Sequence, residues 1–149
     1  MSDFFQFELD FVESLRCIPM HVRLKLDNCG IKLKLAQWNH FSTAEREALV
    51  DKPCSTESEI KAYREFLQQL IQQHRGTADE IPVESHPAWM DATTIPTNIQ
   101  EKAEEIGAIV TPQQWMALTP VQRFALIKLS RSSHENENFL PAMQEFQLL

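Results

Sequence analysis

Glycine is nearly absent from this chain, which has three, at positions 30, 76 and 107 of 149. Glycines so few and so scattered exclude collagen-like and flexible-linker classes. They also leave no phosphate-cradling loop, because G-x-G-x-x-G and G-x-x-x-x-G-K-[ST] both need clustered glycines. Cysteine is equally scarce. Cys17, Cys29 and Cys54 form an odd set with no C-x-x-C spacing, and the opening Met-Ser-Asp-Phe-Phe has no positive leader segment. The expectation is a cytoplasmic chain with reduced thiols. Long apolar stretches are missing too: the longest, residues 106–110, is far below the ~20 residues of a membrane helix. Cations are lacking in the second half, where residues 76–149 carry a net charge of -6 against -1 for residues 1–75. Nucleic-acid affinity rests on neutralising phosphates with a basic surface, so a pI near 5.2 argues against that partner.

The composition that remains is that of a folded domain. Apolar residues at 43% and charged residues at 23% are balanced as in ordinary globular chains and exclude bulk disorder. At this length very roughly two thirds of the unfolded surface can be buried without disulfides or metals.

The chain matches itself. Pro19, Val22, Lys25, Gly30, Leu33, Gln37-Trp38, Phe41-Ser42, Glu45-Arg46 and Ala48-Leu49 reappear 77 positions later as Pro96, Ile99, Lys102, Gly107, Val110, Gln114-Trp115, Leu118-Thr119, Gln122-Arg123 and Ala125-Leu126. The shared pattern describes helices. Proline suits a first helical turn and glycine the left-handed residue past a helix end, so residues 19–29 and 96–106 read as helices closed by Gly30 and Gly107. A short helix carrying the tryptophan follows in each copy, with Thr111-Pro112 as cap and first turn in the second. Ser42-x-x-Glu45 and Thr119-x-x-Gln122 are capping boxes that open a third helix. After the first copy, Thr56 caps a helix with Ile60, Tyr63, Leu67, Leu70, Ile71 and His74 at 3–4 spacing and Gly76 as its stop.

The predicted fold is therefore all-α: a single compact helical domain over residues 1–149, built from a tandem repeat of a three-helix unit, with an N-terminal segment that begins extended and turns helical near residue 11. The first repeat covers about 19–50, followed by a helix at 56–75. A connecting segment spans 77–95, where Ile81, Val83, Trp89 and Met90 should lie against the surface. The second repeat covers about 96–131, and a C-terminal helix at 138–147 is interrupted at Pro141. The helix after Thr119, apolar most of the way round, should be buried on several sides.

No arrangement of residues signals catalysis. There is no G-x-S-x-G and no H-E-x-x-H, and carboxylate pairs such as Glu104-Glu105 read as solvated helix faces. Cys17, His21, Cys29, His40 and Cys54 are metal-ligand types, yet only Cys17-x3-His21 is closely spaced and Pro19 interrupts it. Buried, inert cysteines are the simpler reading, so no metal and no cofactor is expected. Trp38 and Trp115, placed alike in both copies, read as packing residues. Arg46 and Arg123 read as helix ties to carboxylates or carbonyls. Function should lie where the copies differ: Arg16, His21, Arg23, Lys32, Lys34 and His40 stand where the second copy has mostly neutral or acidic residues. Of these, Arg16, Arg23, Lys32 and Lys34 are the candidate partner-binding residues, with a surface charged simply for solubility as the alternative.

The run Phe5-Gln6-Phe7-Glu8 with Asp10-Phe11, then Arg16-Cys17-Ile18-Pro19-Met20, Lys25-Leu26-Asp27, Cys29-Gly30-Ile31-Lys32-Leu33 and Trp38, resembles the nitrate reductase-associated proteins found mainly in cyanobacteria. The resemblance covers nearly the whole chain and is most specific between Phe4 and Phe41. It implies a cytoplasmic accessory protein, encoded near an assimilatory nitrate reductase and needed for that enzyme to become active. It brings no catalytic residues. A helix-turn-helix regulator of nucleic acid, with residues 19–29 and the Trp38 helix as the pair, is the alternative, and an unrecognised small enzyme a third.

Overall fold

A helix begins where backbone N–H groups find acceptors, and this chain supplies them with side chains. In the computed structural model, which describes residues 4–9, 12, 17–131 and 136–149, the Ser42 hydroxyl accepts from Glu45 N–H at 3.1 Å and the Glu45 carboxylate from Ser42 N–H at 2.7 Å. The same reciprocal box forms between Thr56 and Glu59 and between Thr111 and Gln114. The Thr119–Gln122 pair closes it as well.

The chain divides into two compact units, Met1–Glu84 and Ser85–Leu149. The first holds α1 (Met20–Cys29), β1 (Ile31–Lys32), α2 (Leu35–His40), α3 (Thr43–Asp51), α4 (Glu57–Gln73) and β2 (Asp79–Glu80). The second holds α5 (Thr97–Glu105), α6 (Pro112–Ala117), α7 (Pro120–Arg131) and α8 (Phe139–Glu145), with short 3-10 turns at Ala88–Met90 and Asn136–Asn138. The all-α class holds. Among the described residues the exception is one antiparallel ladder, Ile31 opposite Glu80 and Lys32 opposite Asp79. Helix starts at Met20, Leu35 and Thr43 lie 77 residues before those at Thr97, Pro112 and Pro120. Gly30 and Gly107 close α1 and α5 in left-handed conformation, at φ 73° and 74°.

The first unit's core joins α1, α3 and α4. Tyr63, Leu67, Leu70 and Ile71 form the buried stripe of α4, packed with Val22, Leu26 and Leu49, each side chain worth about 1.5–3 kcal/mol of burial. The carbonyls that end α3 are also answered. Tyr63 Oη donates to Leu49 O at 2.7 Å, and Lys25 Nζ donates to Val50 O. In the second unit α7 buries Phe124, Ala125, Leu126, Ile127 and Leu129, with the Trp89 ring edge-on to Phe124 at 5.0 Å. Several sides of that helix are covered, as its apolar circumference requires.

Local chemistry departs from the sequence expectations at several points. The N-terminal segment is not extended through its phenylalanines: Gln6–Glu8 form a 3-10 turn, because the Glu8 carboxylate folds back onto Phe5 N–H and reaches Met20 N–H at 3.1 Å. Pro19 and Pro96 sit at the cap, one residue before their helices, with extended ψ of 146° and 142°. The left-handed residue after α4 is Arg75, at φ 62°, and Gly76 N–H bonds to Ile71 O at 2.8 Å. Glycine at 76 is instead explained by space, since a Cβ there would lie 3.0 Å from Gln37 Nε2 and 3.1 Å from Ile71 Cγ2. Pro141 does not interrupt α8. It occupies the first turn, where its missing N–H has no intrahelical acceptor to lose. Of the four apolar residues expected to hold the connecting segment against the surface, Trp89 is buried, whereas Val83 and Met90 are 57% and 61% exposed. That segment also supplies β2, which apolar periodicity could not foretell from two acidic residues.

Candidate functional site

The candidate docking residues divide by position. Arg16 lies outside the described residues. Arg23 is half-buried on α1, and Lys32 and Lys34 are exposed on β1 and at the start of α2. The first unit brings Lys32 and Lys34 to one edge and then places acids against them. Asp79 stands opposite Lys32 in the ladder, and its carboxylate is 3.8 Å from Lys34 Nζ. Arg64 of α4 pairs with Glu80 and donates to Cys29 O at 2.6 Å. The surface is therefore a lattice of alternating charge, with the acids delivered by the chain after α4. Both partners of the Lys34–Asp79 pair are more than half exposed, so this pair orients side chains more than it stabilises the fold.

His40 is exposed at the end of α2, and His21 packs its ring 5.1 Å from that of Phe5. Cys29 Sγ donates to Leu26 O and Cys54 Sγ to Lys25 O, each at 3.6 Å. Burial pushes the two thiols up to about 11 and about 12, so they stay protonated and unreactive at neutral pH. Among the described residues no three His, Cys, Asp or Glu side chains converge as a metal site. An open depression of about 210 Å³ lies between Lys52, Pro53, Ser58, Glu59, Ala62 and Tyr63. Of its lining residues, Tyr63 has its hydroxyl committed to Leu49 O. The helix carrying Trp38 spans six residues with that tryptophan buried, too short a rod to lie along a major groove by itself.

Three features were missed by sequence reasoning. Glu8 is a carboxylate only 3% exposed, placed at the positive N-terminus of α1 through its bond to Met20 N–H. An acid inside the run Phe4, Phe5, Phe7, Leu9 was the available signal. The acidic pair Asp79-Glu80 answers Lys34 and Arg64, which only the fold could reveal. Arg123 overturns the expectation of a helix tie. It is 6% exposed, and its Nε and Nη1 meet no carboxylate or carbonyl at hydrogen-bond distance. Burial lowers its pKa, partly offset by attraction to Asp91. The two tryptophans also differ, since Trp115 Nε1 donates to Asp91 O at 2.9 Å while Trp38 Nε1 has no acceptor among the described residues.

The arrangement is thus a scaffold with a patterned charged edge, and comparison places it. The family described as conserved nitrate reductase-associated protein matches residues 4–146. The chain belongs to that family. No curated protein and no solved structure matches it. The family description ties the chain to nitrate reductase by association, and the match runs through both units, from the Phe4 turn to the end of α8. Among the described residues no helix is long and apolar enough to cross a membrane.

Proposed function

We propose that this protein is a non-catalytic accessory factor that binds nitrate reductase and supports formation of the active enzyme in the cytoplasm, where its thiols stay reduced. The family match over residues 4–146 carries the reading. Its support in the fold is a surface suited to docking: Lys32 and Lys34 project from an edge held on one side by the Arg64–Glu80 pair, while the thiols of Cys29 and Cys54 are buried and bonded to carbonyls. An accessory factor of this kind holds an apoenzyme in a form that accepts its cofactor, which requires rigid recognition and no chemistry of its own. Arg16, Arg23, Lys32 and Lys34 are the residues assigned to that contact.

Co-purification with native nitrate reductase tests the association, and neutralisation tests the face. Because Asp79 stands opposite Lys32, glutamine is a cleaner replacement than glutamate, which would set like charges across the ladder. Lys32→Gln combined with Lys34→Gln should weaken binding by up to about thirtyfold, the sum of two rim charges at up to about 1 kcal/mol each, with an unchanged circular dichroism spectrum. Unaltered affinity would remove this face from the contact, and failure of the wild-type chain to bind the reductase would end the reading.

A further inference from the structure

The strongest asymmetry in the molecule lies between two segments that enter alike. Residues 30–32 and 107–109 each follow a helix through a glycine at nearly the same φ, 73° and 74°. In both, the side chains then alternate as a strand requires: Ile31 and Leu33 are buried around exposed Lys32, and Ala108 and Val110 around Ile109. In the first unit the edge is covered. β2 pairs with it, Ile81 N–H donates to Gly30 O at 2.9 Å, and a Cβ on Gly30 would meet Val83 Cγ2 at 2.8 Å and Ile81 O at 2.9 Å.

In the second unit no described residue covers the same edge. Nothing lies within 4 Å of where a Cβ on Gly107 would be, Ile109 is 76% exposed, and no described residue forms a ladder with 108–110. Ala108 N–H is taken by Ala103 O and Val110 O accepts from Gln100 Nε2. The N–H and C=O of Ile109 and the C=O of Gly107 make no hydrogen bond among the described residues. These groups match in position those that the covering strand uses in the first unit. An extended backbone with open donors and acceptors, held in register by buried residues on either side, is a template for strand addition.

The charges that flank the edge in sequence state what fits it. In the first unit the acidic pair Asp79-Glu80 meets Lys34 and Arg64. The second unit reverses this chemistry, with Ile109 and Thr111 standing where Lys32 and Lys34 stand. The helix leading into the edge exposes Glu101, Glu104 and Glu105, of which Glu105 is paired with Lys102. We propose that the edge at residues 107–110 receives an extended, basic and apolar segment of a partner protein by strand addition, the cations meeting Glu101 and Glu104 and the apolar side chain meeting Ile109. The proposal deepens the accessory reading and rests on it for the partner, since the segment then belongs to nitrate reductase.

Amide hydrogen exchange on the full-length protein tests it in two arms. The first uses a synthetic peptide with the sequence of residues 77–84 carrying lysine in place of Asp79, Glu80 and Glu84, beside its acidic parent. The lysine peptide should slow exchange at residues 107–111 by about tenfold or more at saturation, and the acidic parent should not. Ile109→Asp should abolish that protection, and so should Ile109→Pro, which removes the N–H, each with an unaltered circular dichroism spectrum. Equal protection by both peptides, or none, overturns the proposal. The second arm uses purified nitrate reductase. Protection that includes residues 107–111 supports the proposal, while a complex that leaves them unprotected overturns it and leaves the accessory reading standing. Protection by the lysine peptide with no reductase complex keeps the edge and ends the accessory reading. A dimer that Ile109→Asp converts to monomer overturns the proposal in favour of a second copy of this chain as the occupant.

Discussion

Replacing each of the two left-handed glycines with alanine separates conformational cost from steric cost within one protein. Gly30→Ala and Gly107→Ala both force a Cβ into nearly the same backbone state, at φ 73° and 74°, which costs about 1–2 kcal/mol in either place. The surroundings then diverge. At Gly107 the new methyl meets open space. At Gly30 it would stand 2.8 Å from Val83 Cγ2 and 2.9 Å from Ile81 O. That carbonyl belongs to the segment tied to Gly30 through the Ile81 N–H bond, so the clash cannot be relieved by turning a side chain. Overpacking of this kind adds about 1–3 kcal/mol. Gly107→Ala should therefore lose about 1–2 kcal/mol and Gly30→Ala about 2–5 kcal/mol. Urea denaturation followed by circular dichroism and tryptophan fluorescence reads both. Equal losses would refute the reasoning, because they would mean that the first edge is no more covered than the second.

Further expectations follow from the pairing of polar groups. Trp115→Phe should cost about 1 kcal/mol more than Trp38→Phe, since only the former deletes a hydrogen bond, Nε1 to Asp91 O; denaturation midpoints of the two variants decide this. The Glu45 carboxylate is held below its ordinary value of 4.5, first by Ser42 N–H and further by His74, and Glu59 likewise by the N–H groups of Thr56 and Ser55. A depressed carboxylate contributes stability that is complete above the unfolded value and disappears as pH falls through the folded one. Glu45→Gln with Glu59→Gln keeps an oxygen acceptor at both caps, so thermal denaturation should show a shallower loss of stability below pH 4.5, and an unchanged slope would contradict the assignment. Of the three cysteines, half-buried Cys17 should react first with iodoacetamide at neutral pH, and buried Cys29 and Cys54 only on unfolding. Mass spectrometry of the native protein checks this, and early modification of Cys54 would contradict it.

Most helices were legible in the sequence because their ends are written locally. Ser42, Thr56, Thr111 and Thr119 each open a helix by the box their spacing announces, and Gly30 and Gly107 close theirs in the left-handed state. The α4 stripe was legible because one face of a helix repeats every three to four residues. Failures came where long-range contacts decide. Alternating Phe5, Phe7 and Leu9 suggested a strand, but a carboxylate that caps a helix twelve residues away draws them into a turn. Asp79 and Glu80 have no apolar pattern to mark a strand, and their pairing depends on Lys34 and Arg64 lying across from them. At the candidate site, the cations were legible in the sequence of the first unit, whereas the acids that pattern them come from the connecting segment. The bare edge at 107–110 could be seen only by setting it beside its covered counterpart.

The accessory role is tested most directly by nitrate reductase activity in native cells from which this chain has been deleted, measured beside the amount of reductase polypeptide. The reductase polypeptide should be present but inactive, with activity restored by the wild-type chain. Full reductase activity in the absence of the chain would contradict that role.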